Sequence, residues 1–516
     1  MKFGVYICLL FIGCSVKGQD PGVSQISTPT STLTSTPTST PTTFAPSPVA
    51  IAVYGQNGNF TTLQSGITQS TFSNYLRVKA DSIGGLYIVD SSRVLYYAPG
   101  NTTAAESILG QPNFTTDIPN YYATNALNVE NTRTLGPRDL CGPGTMALDP
   151  IRGGFYVADT YNFRVLYFPN MFSPATEVWG QNNSFSTKGR PSVNRRKGRA
   201  PQEHNISTVT ADTLTTPFAV AVDSNGGIYI ADNPDRPHHK TRILYYEPRS
   251  TTAVRVYGQN GNLDATYYWD SDEIPASDDD QSNDIKYNPS TFLMNIQHGI
   301  WFSKYVYDLA VDKFGGLYVA DNDYNRVLYF EPGNSSAPSR VYGQGNNFST
   351  FLPNMGYANP SADTLYNPNN VQVDEYNNVY IADTGNNRVL VYEGESTTAT
   401  RVYGQSSFNT ADSGTSASMF SLATSISIAK GLLYVADDSR VLSFALPPKS
   451  TTLTTTRTTT PTTTQTSVML DSASSTPLST GAIVGISVGG AVGVTAIAAF
   501  VYFKFGSSAT GYFTYT

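Results

Sequence analysis

Between residues 49 and 447 the hydrophobic positions fall in short runs, and the positions that separate them are mostly Gly, Asn and Asp. One run returns six times: Gly85-Leu-Tyr-Ile-Val-Asp90, Gly154-Phe-Tyr-Val-Ala-Asp159, Gly227-Ile-Tyr-Ile-Ala-Asp232, Gly316-Leu-Tyr-Val-Ala-Asp321, Asn378-Val-Tyr-Ile-Ala-Asp383 and Leu432-Leu-Tyr-Val-Ala-Asp437. In the fifth copy Val371-Gln-Val-Asp374 and a Glu-Tyr-Asn-Asn turn come before it, Arg388-Val-Leu-Val-Tyr392 follows, and Arg401-Val-Tyr-Gly-Gln405 closes the unit. Four short strands rich in Val, Ile, Leu, Tyr and Phe, joined by residues that tolerate positive φ, predict a four-stranded antiparallel meander. The strands are apolar on both faces, so each sheet needs burial on both sides. Sheets stacked face to face around an axis provide it.

The closing phrase recurs at Tyr54-Gly-Gln56, Leu109-Gly-Gln111, Trp179-Gly-Gln181, Tyr257-Gly-Gln259, Tyr342-Gly-Gln344 and Tyr403-Gly-Gln405. Its first occurrence precedes every full unit, while the last unit, Ser425 to Phe444, has three strands and no such phrase. Val49 to Gly55 is therefore expected to supply the outer strand of the sixth sheet and close the ring, which removes an open gap between first and last blades. The fold class expected is all-β: a six-bladed β-propeller over residues 49–447.

Ala382-Asp383-Thr384-Gly385-Asn386-Asn387-Arg388-Val389 resembles the most specific phrase of the NHL-repeat family, and Ala320-Asp321 to Arg326-Val327 does so nearly as well. The likeness covers about residues 49–447. Successive Asp positions, 54 to 89 apart, are more widely spaced than is usual in that family, and the excess lies in the loops after Gly-Gln. The resemblance implies a six-bladed propeller. Part of the family is an extracellular lyase acting on peptidyl-α-hydroxyglycine with a central zinc held by His. Here only His204, His238, His239 and His298 exist, all in or beside loops, so that site is not carried over.

The two ends change the picture from a free domain to an anchored one. Met1-Lys2, an apolar run from Phe3 to Cys14 and Ser15-Val16-Lys17-Gly18 read as a signal peptide over residues 1–18. Residues 481–503 form an uncharged Gly-rich run, with Lys504 directly after it, long enough for a transmembrane helix. The thirteen residues 504–516 are polar and Tyr-containing, which argues against a GPI signal and for a short cytoplasmic tail. Residues 19–48 and 448–480 are Thr-, Ser- and Pro-rich, a linker and a mucin-like stalk. The expected localisation is the plasma membrane, single-pass type I, with the propeller extracellular. Gly485, Gly489 and Gly493 fall four apart and would let two such helices pack as a homodimer.

Net charge of −7 gives no basic footprint, which excludes nucleic acid as a first expectation. Cys8 and Cys14 lie in the signal peptide, so Cys141 stands alone in the mature ectodomain as a free cysteine without an intrachain disulfide. Asn-x-Ser/Thr sequons occur at Asn59, Asn101, Asn113, Asn182, Asn205, Asn334 and Asn347. Strand tracing puts Asn101 and Asn334 on lower turns and the others on the upper face, where the long inter-blade loops gather.

Each repeat acid is followed by a basic residue: Asp90 by Arg93, Asp159 by Arg164, Asp232 by Arg242, Asp321 by Arg326, Asp383 by Arg388 and Asp437 by Arg440. Chemistry rarely needs sixfold repetition, so these are expected to be structural pairs that fix turns. The acidic loop Asp264 to Asp284 lacks EF-hand spacing, and Arg195-Arg196-Lys197-Gly198-Arg199 reads as a solvated loop. No cofactor is expected; Asn370, Gln372, Ser425 and Ser427 are the polar innermost-strand residues that could hold calcium in the channel, as in some six-bladed hydrolases. The leading functional expectation is recognition or adhesion, with a protein or glycan bound by the upper loops. The alternatives are an ectoenzyme, lyase or hydrolase, using a metal in the channel, and a structural surface-coat glycoprotein.

Overall fold

The computed structural model describes residues 48–124, 135–186, 210–233, 241–258, 261, 263 and 302–447. The expected signal peptide, 448–480 stalk, 481–503 span, tail and helix glycines lie outside the described residues. So do Asn205, all four histidines, the acidic loop and the basic cluster. The chain divides into Met1–Lys449 and Ser450–Thr516, and everything below concerns the first unit. Among the described residues no helix is long and apolar enough to cross a membrane.

Six four-stranded antiparallel sheets follow one another along the chain. After β1 (Ala52–Tyr54), blade 1 is β2 (Arg77–Ala80), β3 (Leu86–Asp90), β4 (Arg93–Tyr97) and β5 (Ser107–Leu109). Blade 2 is β6 (Met146–Leu148), β7 (Phe155–Asp159), β8 (Arg164–Phe168) and β9 (Glu177–Trp179), and blade 3 is β10 (Pro217–Val222), β11 (Ile228–Asp232), β12 (Arg242–Tyr246) and β13 (Arg255–Tyr257). Blade 4 is β14 (Val306–Val311), β15 (Leu317–Asp321), β16 (Arg326–Phe330) and β17 (Arg340–Tyr342); blade 5 is β18 (Pro368–Val373), β19 (Val379–Asp383), β20 (Arg388–Tyr392) and β21 (Arg401–Tyr403). Blade 6 takes β22 (Ala423–Ala429), β23 (Leu432–Asp437) and β24 (Arg440–Ala445) from the end of the domain and β1 from its beginning. Tyr54 pairs with Val441 and Ala52 with Ser443, so the first and last strands of the domain share one sheet. β1 covers Ala52–Tyr54 of the Val49 to Gly55 stretch expected, and at its C-terminal end Gly55 turns at φ +90.

The apolar repeats fold into this arrangement because each sheet buries both faces. The core is accordingly six separate apolar layers, one between each pair of neighbouring blades. The repeat Tyr of the second strand packs against a Tyr directly across on the third strand in blades 1 to 4, with ring centroids 4.6 to 5.1 Å apart. The Gly of the Gly-Gln phrase is required twice over. At Gly404, for example, φ is +85 and an added Cβ would stand 2.1 Å from the Phe420 ring.

Candidate functional site

The six repeat acids and arginines make one device. In every blade the Arg Nε donates to Asp Oδ2 at 2.7 to 3.0 Å. The other carboxylate oxygen accepts from a backbone N–H in the loop entering the blade: Ser73, Cys141, Thr215, Ser303, Tyr366 or Ser421, at 2.7 to 2.9 Å. The guanidinium end then donates to a carbonyl in the loop leaving the blade: Phe114, Phe185, Leu263, Phe348, Phe408 and, after β1, Phe60. Each pair is buried, and each ties the incoming loop, the blade and the outgoing loop together. Both oxygens of each carboxylate are thus engaged in bracing the loops.

A second latch comes from the Gln of Gly-Gln, which the motif did not reveal as a working side chain. Gln405 Nε2 donates to the Asn387 and Asp412 carbonyls (3.0 and 2.7 Å), and Gln56, Gln111, Gln181 and Gln344 each donate to the corresponding second-to-third-strand turn of their own blade. Both devices act on one face, because the inter-blade loops and the second-to-third-strand turns emerge on the same side of a meander. On this upper face Tyr75, Tyr161 and Tyr357 are exposed by 68, 62 and 64 %, and Ile118, Tyr122, Leu352 and Tyr366 are also exposed. Tyr75 sits at φ +63, in the left-handed region that aromatic residues rarely enter.

The sequons are placed as follows. Asn59, Asn113, Asn334 and Asn347 are exposed, and each accepts a backbone N–H from the residue two positions on. Asn101 is half-buried and its Nδ2 donates to the Ala104 carbonyl and to Glu106. The backbone of Asn182 lies in the short helical turn Gln181–Asn183. Cys141 is half-buried in the loop entering blade 2.

The channel is lined by the innermost strands of all six blades and holds a cavity of about 270 Å³. Strand register arranges its wall in two rings. Opposite the repeat Tyr stand Lys79, Ala147, Ala221, Ala310, Gln372 and Ser427. Two residues earlier stand Arg77, Thr145, Ala219, Asp308, Asn370 and Ser425. Several of the polar members serve the fold by accepting a backbone N–H from the next blade's innermost strand: Ser425 from Val78, Ser427 from Ala80, Thr145 from Val220, Asn370 from Ile426 and Asp308 from Val371. Arg77 holds the equivalent position in blade 1 and has no acceptor to offer.

Arg77 and Lys79 alternate along β2, on one face of the strand. Lys79 donates from Nζ to Gln372 Oε1 at 2.9 Å, and Gln372 Nε2 donates to Asp308 Oδ2 at 3.3 Å. Arg77 comes from blade 1, yet its guanidinium lies 5.6 Å from the Phe218 ring of blade 3 and 5.9 Å from the Tyr307 ring of blade 4. It therefore spans the axis at the upper end. Below it the wall is apolar on the side of blades 2 to 4, through Ala147, Ala221 and Ala310 to Leu148, Val222 and Val311, and polar on the side of Lys79, Gln372 and Ser427. Burial pushes the Asp308 carboxyl up to about 6, against the opposing pull of Lys79 and Arg77. Burial lowers both cations, with Asp308 opposing.

The sequence pointed to Asn370, Gln372, Ser425 and Ser427 as channel residues, and all four line it. It missed Arg77, Lys79 and Asp308, although aligning the six copies on the repeat Tyr would have put them in the same columns. The donor set does not fit calcium, which takes six to eight oxygens with several carboxylates. Asp308 is the one carboxylate among the cavity-lining residues, and two cations stand with it. Among the described residues no three His, Cys, Asp or Glu side chains gather as a metal-holding group.

No family model matches the sequence. No curated protein matches it either. Among solved structures it is similar to a structural genomics protein of unknown function from Bacteroides thetaiotaomicron, with a TM-score of 0.42 and 12% identity over 76% of this chain and 75% of that one.

Proposed function

We propose that this chain is a cell-surface recognition protein of the NHL-repeat type, a type I membrane glycoprotein that binds an extracellular protein or glycan through the upper face of its propeller. The observation that carries the reading is the group of exposed tyrosines, Tyr75, Tyr161 and Tyr357, on a face whose loops are braced six times. Tyr offers large rigid contact area at low entropic cost, and a braced loop loses little freedom on binding. Both chain ends leave the ring at the opposite, lower face, since Ala52, at the start of β1, pairs with Ser443, near the end of β24.

The test displays the full chain on cells that lack it and measures their adhesion to a panel of partner cells and glycans. Replacing Tyr75, Tyr161 and Tyr357 together by Ala should lower binding at least about tenfold, since a single interface hot spot is worth about 2 kcal/mol or more. Equal surface amounts of the variant with unchanged adhesion would overturn the reading.

A further inference from the structure

The two rings of the channel wall hold two cations, Arg77 and Lys79, against one carboxylate, Asp308, around a cavity of about 270 Å³. Most polar members of its ring close blade junctions, whereas among the described residues Arg77 donates only to the nearby Leu76 carbonyl (3.1 Å) and, at 3.5 Å, that of Tyr75. Its side chain is buried, with the residue 7 % exposed, and Nε has no partner among the described residues. Keeping a buried guanidinium incompletely hydrogen-bonded costs free energy, which the Phe218 and Tyr307 rings and Asp308 offset only in part.

We propose that the channel is a binding site for a small organic monocarboxylate with a compact apolar body. Arg77 and Lys79 supply the charge. Lys79 exchanges its bond to the neutral Gln372 amide for a charge-assisted bond to the ligand carboxylate, and Gln372 remains to donate to Asp308. The alanine-lined wall beneath takes the apolar body, while Phe218 and Tyr307 back the Arg77 guanidinium from the far side of the axis. With Asp308 ionised and both cations protonated the site carries one net positive charge, which matches a single carboxylate and not a dianion. The cavity is just under the span of about 300 to 1,000 Å³ that drug-sized ligands occupy, so the ligand is smaller than those.

The test uses the purified full chain and benzoate as probe, with benzylamine as its cationic counterpart, read by calorimetry and by ligand-observed NMR. Benzoate should bind saturably and benzylamine should not. Losing one charge-assisted bond corresponds to about tenfold weaker binding, the effect expected of Lys79→Met, and Lys79→Arg should restore it. Asp308→Asn should tighten binding at neutral pH by removing the opposing charge. The site is overturned if benzoate fails to bind, if benzylamine binds as well, or if Lys79→Met leaves benzoate affinity unchanged while the variant melts like the parent. These readouts use a small molecule on isolated protein, so failure here leaves the upper-face reading standing, and the reverse also holds.

Discussion

Asp308 ties the channel's chemistry to the stability of the fold. It is buried, Lys79 and Arg77 face it from β2, Tyr307 adjoins it, and the Val371 N–H and the neutral Gln372 amide meet it from β18. Its pKa rises from 3.8 in the free chain to about 6 in the fold. Between those values the folded chain holds more protons than the unfolded one, so this contribution is complete below about pH 4 and drains away as pH climbs to 6. Asp308→Asn has no such term. Relative to the parent, that variant should gain stability across the window by an amount on the order of 3 kcal/mol, about two pKa units, read from denaturant midpoints at pH 4 and pH 7. A parent-to-variant difference that does not change with pH would show that the carboxyl is not perturbed.

A blade is more than four paired strands, because its Asp and Arg bind it to the loops on either side. In blade 5 the Asp383 and Arg388 pair meets the Tyr366 N–H and the carbonyls of Ser361, Thr364 and Phe408. Removing one member leaves the other charged, buried and unpaired, an effect typically worth about 3–5 kcal/mol. Arg388→Met is expected to destabilise the domain by that order in chemical denaturation, and adding Asp383→Asn should recover part of the loss. Full additivity of the two changes would mean that the residues do not work as a pair. At this scale the sequence was read correctly as to strands and turns, and only partly as to what the side chains do. The Gly-Gln phrase marked the closing strand of each unit, yet its Gln acts on a loop carbonyl about eighteen residues back, as Gln405 does on Asn387, and local pattern holds no signal for that.

β1 closes the ring. It joins blade 6 through Ala52, Val53 and Tyr54, and Arg440 reaches across to the Phe60 carbonyl beyond it. Tyr54 also packs on Tyr97 of blade 1 and Tyr434 of blade 6, at 5.5 and 6.3 Å between ring centroids. Deleting residues 49–56 should open the gap between blades 6 and 1, lower the melting temperature sharply and expose an unpaired edge at β24. A melt unchanged by the deletion would mean that the ring does not need this closure.

Repetition let the sequence determine the blade count, the strand order within each blade and the closure by the N-terminal strand, because every blade must bury both faces and so repeats one apolar pattern. The identity of the channel side chains was also present, as columns of six. What only the tertiary structure decided is which columns face one another across the axis. Arg77 meets aromatic rings more than a hundred residues away on blades 3 and 4, and Lys79 connects to Asp308 through Gln372. Those distances arise from closing the ring. Strand periodicity fixes the neighbours of a residue within a sheet but says nothing about the opposite wall, and it is there that an excess of positive charge becomes a site.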